Sequence, residues 1–387
     1  LLPGFIQTHI HLCQTLFRGY ADDLRLLEWL RARIWPMEAA HTPASLRASA
    51  RLACLELLQS GTTSILTMET VHGTEAVIEA TAATGIRATV AKSLMDHTTP
   101  DAPDRLREDG QLALAESVAL FRQYNGTAAG RIRIAFAPRF ALSCATELLE
   151  AIAEKAEELN ALVHTHASEQ RDEVAMVREA TGRSNIGYFD AVELLSPRLN
   201  VAHCVWVDED EQALLAGSQV KVTHCPGSNL KLGSGIAPVP EMRARGINVS
   251  LGADGAACNN HLDMFGEMRL AAGLQSIRHS PGALSARDAL WMATRAGAKA
   301  LGQDAEIGSI EVGKKADLIL IDAASAHSAP SPDPFSAIVY AAHAADVRVT
   351  MVDGEILVRD GQPLQLDPAE IGADARHHAA ELARRAL

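Results

Sequence analysis

The stretch FIQTHIH, Phe5–His11, decides how the rest of the chain is read. Its apolar and β-branched residues suit a strand, and it ends in two histidines one residue apart. Side chains two apart on a strand share a face, so His9 and His11 project the same way. Two convergent imidazoles on a rigid element are a starting point for a metal site. Seven further short apolar runs follow, each trailed by a helical or irregular segment. They are Thr62–Met68 and residues 87–93, 132–137, 162–167, 200–205, 220–224 and 248–253. Between them, stretches such as 43–60, 74–84 and 147–159 are rich in alanine and helically spaced, and Gly61, Gly85 and Gly246 close helices. Eight strands alternating with helices predict an α/β fold, a (β/α)8 TIM barrel. A doubly wound sheet would be favoured by a glycine-rich turn after the first strand, and HIHLCQ is not one.

A barrel carries its chemistry at the C-terminal strand ends. The polar residues of this chain collect there. The first run ends in His9 and His11, and the fourth leads into Arg139. The fifth holds His164 and His166, with Glu169 just beyond. The sixth ends near His203, the seventh at His224 and the eighth at Asp254. His9, His11, His166 and Asp254 are the predicted ligands of one divalent ion, zinc first and iron(II) as the alternative. Such an ion lowers the pKa of water from 15.7 toward neutrality, making hydroxide available. The fourth strand ends in Arg139 rather than lysine, so a second, lysine-bridged metal is not expected. Glu169 is placed to protonate a ring nitrogen, His203 to orient the attacking water, and Asp254 to take its proton and pass it to the leaving group. That division of labour fits hydrolytic displacement of an amino group from an electron-poor ring.

After the barrel, residues 284–301 read as one helix. The segments IGSIEVGKKADLILID (307–322) and VRVTMVDGEILVRDG (347–361) alternate like strands of a small accessory β-sandwich-type unit, with turns at Gly313 and at Asp353-Gly354. A helix is expected over 368–387. The expected division is a barrel over 1–305 and a β unit with a terminal helix over 306–387. The β unit has too few strands to stand alone, so partner strands are expected upstream of the opening LLPGF.

The 387 residues are 48% apolar and 21% charged, which is ordinary globular composition. The net charge of −13 argues against nucleic-acid backbone binding. Six cysteines without a Cys-X-X-Cys pair fit reduced thiols and a cytoplasmic location. No apolar run is long enough for a membrane span.

PGFIQTHIH, HASE, AHC, HCPGSNLKLGSGIAPV and LGADGAACNNHLDMFGEMRLAA together resemble the amidohydrolase superfamily, specifically its aromatic-ring deaminases, over nearly the whole chain. The run from 224 to 272, and LFRGYADDLRLLEWLRARIWPME, are most similar to methylthioadenosine/S-adenosylhomocysteine deaminases. That resemblance implies that Glu38 binds ribose hydroxyls and that Trp29 forms an apolar wall. PRFALSC, HASEQRDEV and Gln14 resemble guanine deaminases, where the matching residues imply contacts from Gln14, Arg139 and Phe140 to the ring. Adenosine-type deaminases usually place histidine where Arg139 stands. GSGIAPVPEM also resembles a run in atrazine chlorohydrolase. The implied substrate is thus an aminopurine base or nucleoside, adenosine-type ahead of guanine-type, with a triazine or pterin ring as the alternative and a non-catalytic binding protein as the remaining one. Loops 97–106 and 259–266 are expected to shape the pocket. Barrels of this kind often form homodimers.

Overall fold

The computed structural model describes residues 1–97 and 102–387; part of the pocket-shaping loop 97–106 lies outside them. The strands are β1 (Leu2–Pro3), β2 (Phe5–His11), β3 (Thr62–Met68), β4 (Arg87–Leu94), β5 (Ile132–Pro138), β6 (Val163–Ala167), β7 (Leu199–His203), β8 (Lys221–His224), β9 (Asn248–Leu251), β10 (Asp254–Gly255), β11 (Leu318–Ile321), β12 (Val347–Val352), β13 (Glu355–Arg359) and β14 (Gln362–Pro363). β2 through β9 pair in sequence order, all parallel. β9 pairs with β8, and its continuation β10 pairs with β2, so the eighth strand closes the barrel in two pieces. The break falls at Gly252 and Ala253. A side chain on Gly252 would meet the His9 carbonyl at 2.5 Å, so this close approach admits only glycine.

Every residue of β2, β3 and β4 is buried, as parallel strands covered by helices require. The barrel interior also holds a polar layer. Thr8 Oγ1 lies 2.8 Å from Thr223 Oγ1 and 2.7 Å from Ser250 Oγ. The helix Pro43–Gln59 shows how local sequence sets an element. Thr42 accepts from the Ser45 amide, Ser45 Oγ accepts from the Thr42 amide, and Pro43 occupies the first turn.

The segment expected as one helix over 284–301 is instead two, Ala286–Met292 and Arg295–Ala300. Thr294 leaves helical geometry at φ −132° and ψ −85°. The Ala293 carbonyl is thereby freed to accept from the Ile6 amide at 2.9 Å, which ties the outer helix to β2.

The accessory unit is an antiparallel five-stranded sheet in the order β1-β11-β12-β13-β14. The Asp353-Gly354 turn has positive φ at both residues, 53° and 84°, the geometry of a tight two-residue hairpin. Within 307–322 only Leu318–Ile321 forms a strand. Elements on the two sides of residue 305 touch. Leu2 and Pro3 pair with Ile319 and Leu318, and the helix Pro368–Ala386 packs on the barrel helix Pro43–Gln59 with Arg51 3.1 Å from Glu370. A buried ion pair joins the two units: Arg87 on β4 donates to both Asp317 oxygens, at 2.7 and 3.0 Å. No helix among the described residues is long and apolar enough to cross a membrane.

Candidate metal and catalytic centre

The C-terminal ends of β2, β6 and β7, together with β10, bring His9, His11, His166, His203 and Asp254 into one cluster. Asp254 Oδ1 lies 3.2 Å from both His9 Nε2 and His11 Nε2, and Asp254 Oδ2 lies 3.9 Å from His203 Nε2. The His166 ring sits 4.7 Å from that of His9 and stacks on His11 and His203, each at 5.5 Å. Four non-glycine residues here, Ser168, His203, Cys204 and Asp254, have φ of 55°, 74°, 47° and 63°. Left-handed backbone of that kind costs about 1–3 kcal/mol per residue and persists where surrounding structure enforces it.

The imidazoles share one orientation. His11 Nδ1 donates to the Met68 carbonyl at 2.7 Å and His166 Nδ1 to the Arg139 carbonyl at 2.6 Å. His203 Nδ1 donates to Asn229 Oδ1 at 2.9 Å, and His9 Nδ1 lies 2.6 Å from His164 Nε2. A carbonyl oxygen only accepts, so Nδ1 carries a hydrogen in His11 and His166, and in the neutral ring Nε2 keeps its lone pair. Burial holds the His9 pKa down to about 4 and that of His166 well below the usual histidine range, so these rings are neutral donors at pH 7. Burial opposes ionisation of Asp254, but His9 and His11 hold its carboxyl well below the usual range.

A divalent cation fits this arrangement. His9, His11 and His166 offer ligand atoms all within 4.8 Å of one another, as do His9, His203 and Asp254. Ligand bonds of about 2.0–2.2 Å place neighbouring ligands a little over 3 Å apart, close to the separations from Asp254. His9 Nε2 and His203 Nε2 are buried without a hydrogen-bond partner. An unsatisfied buried polar atom costs about 1–3 kcal/mol, a cost a bound cation would offset.

Glu169 follows β6 and is buried. Its Oε1 accepts from Ser234 Oγ at 3.0 Å, and Oε2 stands 3.6 Å from His203 Nε2. Burial raises its pKa above the usual carboxylate range, as a proton carrier needs. Its backbone amide donates to Glu173 Oε2 at 3.1 Å.

A cleft opens over the cluster, with Gln14, Trp29, Arg139, Phe140, Glu169 and Glu173 in its wall. Glu38 sits behind that wall. Arg139 Nη2 donates to Glu38 Oε1 at 3.0 Å, Arg139 Nη1 pairs with Oε2, and Gln14 Nε2 donates to Oε1 at 3.0 Å. Three of the roughly four lone-pair sites of the carboxylate are therefore taken from within the chain.

Several participants escaped the sequence reading. Ser228 donates to Asp254 Oδ2 at 2.7 Å, Asn229 orients His203, and Ser234 holds Glu169. All three lie in HCPGSNLKLGS, residues 224–234, whose pattern assigns no role to any one of them. Glu69 accepts from the Cys13 amide at 2.9 Å and so fixes the chain just after His11. No spacing rule points to Glu69 or Glu173. His224 ends β8 as expected, yet both its ring nitrogens are buried without a partner and no bond joins it to the cluster.

Residues 1–357 match the profile of the amidohydrolase family. The chain is 40% identical over 386 residues to a 5'-deoxyadenosine deaminase of Methanosarcina barkeri, covering 100% of this chain and 87% of that protein. It is 42% identical over 387 residues to a 5-methylthioadenosine/S-adenosylhomocysteine deaminase of Symbiobacterium thermophilum, covering 99% and 87%. Its fold superposes on the zinc-bound crystal structure of an adenosine deaminase from Xanthomonas campestris with a TM-score of 0.92, at 34% identity, covering 99% of this chain and 86% of the other.

Proposed function

The chain belongs to the amidohydrolase family, and from that premise we propose that it is a metal-dependent hydrolase of C–N bonds that deaminates the adenine ring of a small nucleoside such as 5'-deoxyadenosine, methylthioadenosine, S-adenosylhomocysteine or adenosine. The observation that carries the proposal is the shared orientation of the imidazoles, lone pairs inward around Asp254. His9, His11, His166 and Asp254 would hold the cation, zinc first and iron(II) as the alternative. Bound there, the cation supplies a Lewis acid that brings the pKa of water from 15.7 toward 7.

The chain's own groups then divide the proton work. His203, held by Asn229, presents Nε2 between Glu169 and Asp254 and orients the attacking water. Glu169, its pKa raised by burial and its carboxyl steadied by Ser234, delivers a proton to the ring nitrogen beside the carbon under attack. Asp254 takes a proton of the water and passes it to the departing amino group. One water is consumed, the C–N bond breaks, and ammonia leaves. Trp29 and Phe140 provide apolar walls, and Arg139 and Gln14 offer hydrogen bonds to the ring edge. Glu38 acts through Arg139 and Gln14, which it holds in the wall of the cleft.

A guanine-type substrate is the second reading. It is favoured by Arg139, a fixed donor in the wall where a ring carbonyl would need one. Ammonia release and ultraviolet spectra on a panel of the four nucleosides, guanine, a triazine and a pterin decide between them. The zinc-loaded protein should turn over the nucleosides at least about tenfold better than guanine, a difference of about 1.4 kcal/mol in transition-state binding, and chelation should abolish turnover. Activity on guanine alone would select the second reading; inertness toward every purine would sink both.

A further inference from the structure

His164 stands on β6 two residues before His166, and the reaction scheme gives it no task. Its ring is fully buried and no carboxylate among the described residues bonds to it, so the uncharged form is the one that fits. Nδ1 lies 3.1 Å from the backbone carbonyl of Asn200. That oxygen only accepts, so Nδ1 carries the hydrogen of the neutral ring and Nε2 carries the lone pair. Nε2 lies 2.6 Å from His9 Nδ1, a distance that needs one hydrogen between the two nitrogens. The donor must be His9 Nδ1. His9 Nε2 is then bare, and it is the buried, unpartnered nitrogen 3.2 Å from Asp254 Oδ1.

The relay starts from a fixed point. β6 and β7 pair His164 directly with Asn200. The Asn200 side chain accepts from Thr223 Oγ1 at 3.0 Å and donates to the Thr8 carbonyl at 3.4 Å, one residue before His9. The polar layer of the barrel interior thus holds both ends of the His164–His9 contact. His11 and His166 obtain the same result directly from backbone carbonyls. His9 instead meets a second imidazole at its Nδ1.

We infer that His164 is a positioning residue: it fixes His9 in the tautomer whose Nε2 lone pair faces the cation, and so sets the affinity of the site. The inference rests on the reading of His9 as a ligand. Two variants of similar volume separate hydrogen bonding from packing. His164→Leu removes the acceptor, whereas His164→Gln places a carboxamide oxygen where it can accept from His9. The measurement is the zinc dissociation constant by competition with a chromophoric chelator, with circular dichroism and thermal melting reporting the fold. His164→Leu should weaken zinc binding about 10–100-fold, and His164→Gln should stay within about threefold of the parent. A folded Leu variant that binds like the parent, or a Gln variant as weak as the Leu variant, would overturn the inference. Should the Leu variant fail to fold, nitrogen-15 NMR of labelled histidines in the metal-free parent decides. His9 must carry its hydrogen on Nδ1, and finding it on Nε2 refutes the assignment. A parent protein that binds no zinc would instead refute the ligand reading of His9, and the same tautomer measurement would still judge the relay.

Discussion

Replacing Arg139 by methionine tests how the cleft wall is built. Arg139 and Glu38 are both buried, and Arg139 makes two charge-assisted contacts to the carboxylate. Removing it leaves a buried carboxylate with only the Gln14 amide as a donor. Breaking one side of a buried ion pair costs about 3–5 kcal/mol, most of it the price of an uncompensated charge. An unfolding entropy of about 2.1 cal/mol/K per residue gives about 0.8 kcal/mol/K for a chain of this length, so Tm should fall by about 4–6 °C. Glu38→Gln alone should also destabilise, because it strands the guanidinium. The double variant carries no buried charge and keeps an acceptor for Gln14, so it should recover to within about 1–2 kcal/mol of the parent.

pH offers a second handle on the same pair. Burial raises the Glu38 pKa, but Arg139 more than offsets this and holds it below the usual carboxylate range. In the parent, the stabilisation from this depressed carboxyl is present above the ordinary value of about 4.5 and is lost as pH falls through the folded value. In Arg139→Met the cation is gone and burial, the largest influence, is opposed only by His11 and the Gln14 amide, so the carboxyl takes up a proton at higher pH and sheds its penalty. The Tm gap between parent and variant should therefore narrow from pH 8 to pH 5. The assay is differential scanning fluorimetry across that range on the four proteins of the cycle. Additive single variants, or a gap that widens toward pH 5, would refute the reasoning.

Three other outcomes follow from the geometry. Glu169→Gln should retain the parent's zinc content and KM while kcat falls about 10²–10⁴-fold, read by ammonia release and metal analysis; a kcat within tenfold of the parent would remove Glu169 from the proton path. Asp317→Ala strands the buried Arg87 and removes the acceptor of the Asp353 amide, so it should cost about 3–5 kcal/mol. Hydrogen exchange should then quicken in β11–β13 before it does in β2–β9, and uniform quickening would show that Asp317 does not tie the two units. Glu173 is pushed up to about 8 by burial first and then by the charge of Glu169, against its hydrogen bond from Asn185. The folded protein then holds a proton that the unfolded chain releases above about 4.5, so this group's stabilisation is complete below 4.5 and is lost as pH rises to 8, by at most about 1.4 kcal/mol per pH unit. Urea midpoints from pH 5 to 9 should flatten in Glu173→Gln, and an unchanged slope would dismiss the group.

The sequence by itself determined the elements and the faces they show. A strand with His9 and His11 two apart has one local solution, and alternation with alanine-rich helices left a parallel barrel as the way to bury every strand. The strand-end rule then singled out His166, His203 and Asp254, because in a parallel barrel all C-terminal ends meet at one mouth. The 353–354 turn was equally legible, since only residues tolerant of positive φ fit it. Tertiary structure decided what no local period encodes. The Glu38–Arg139 clamp joins residues 101 apart, and the His164–Asn200 contact depends on the β6–β7 register. The helix over 284–301 is broken because Ala293 serves the Ile6 amide, a partner nearly the length of the barrel away in sequence. β1 joins β11 because the accessory sheet needs an edge partner close to the start of β2. Propensity and periodicity act over a few residues, whereas these bonds exist only once barrel closure has brought distant strands within hydrogen-bonding reach.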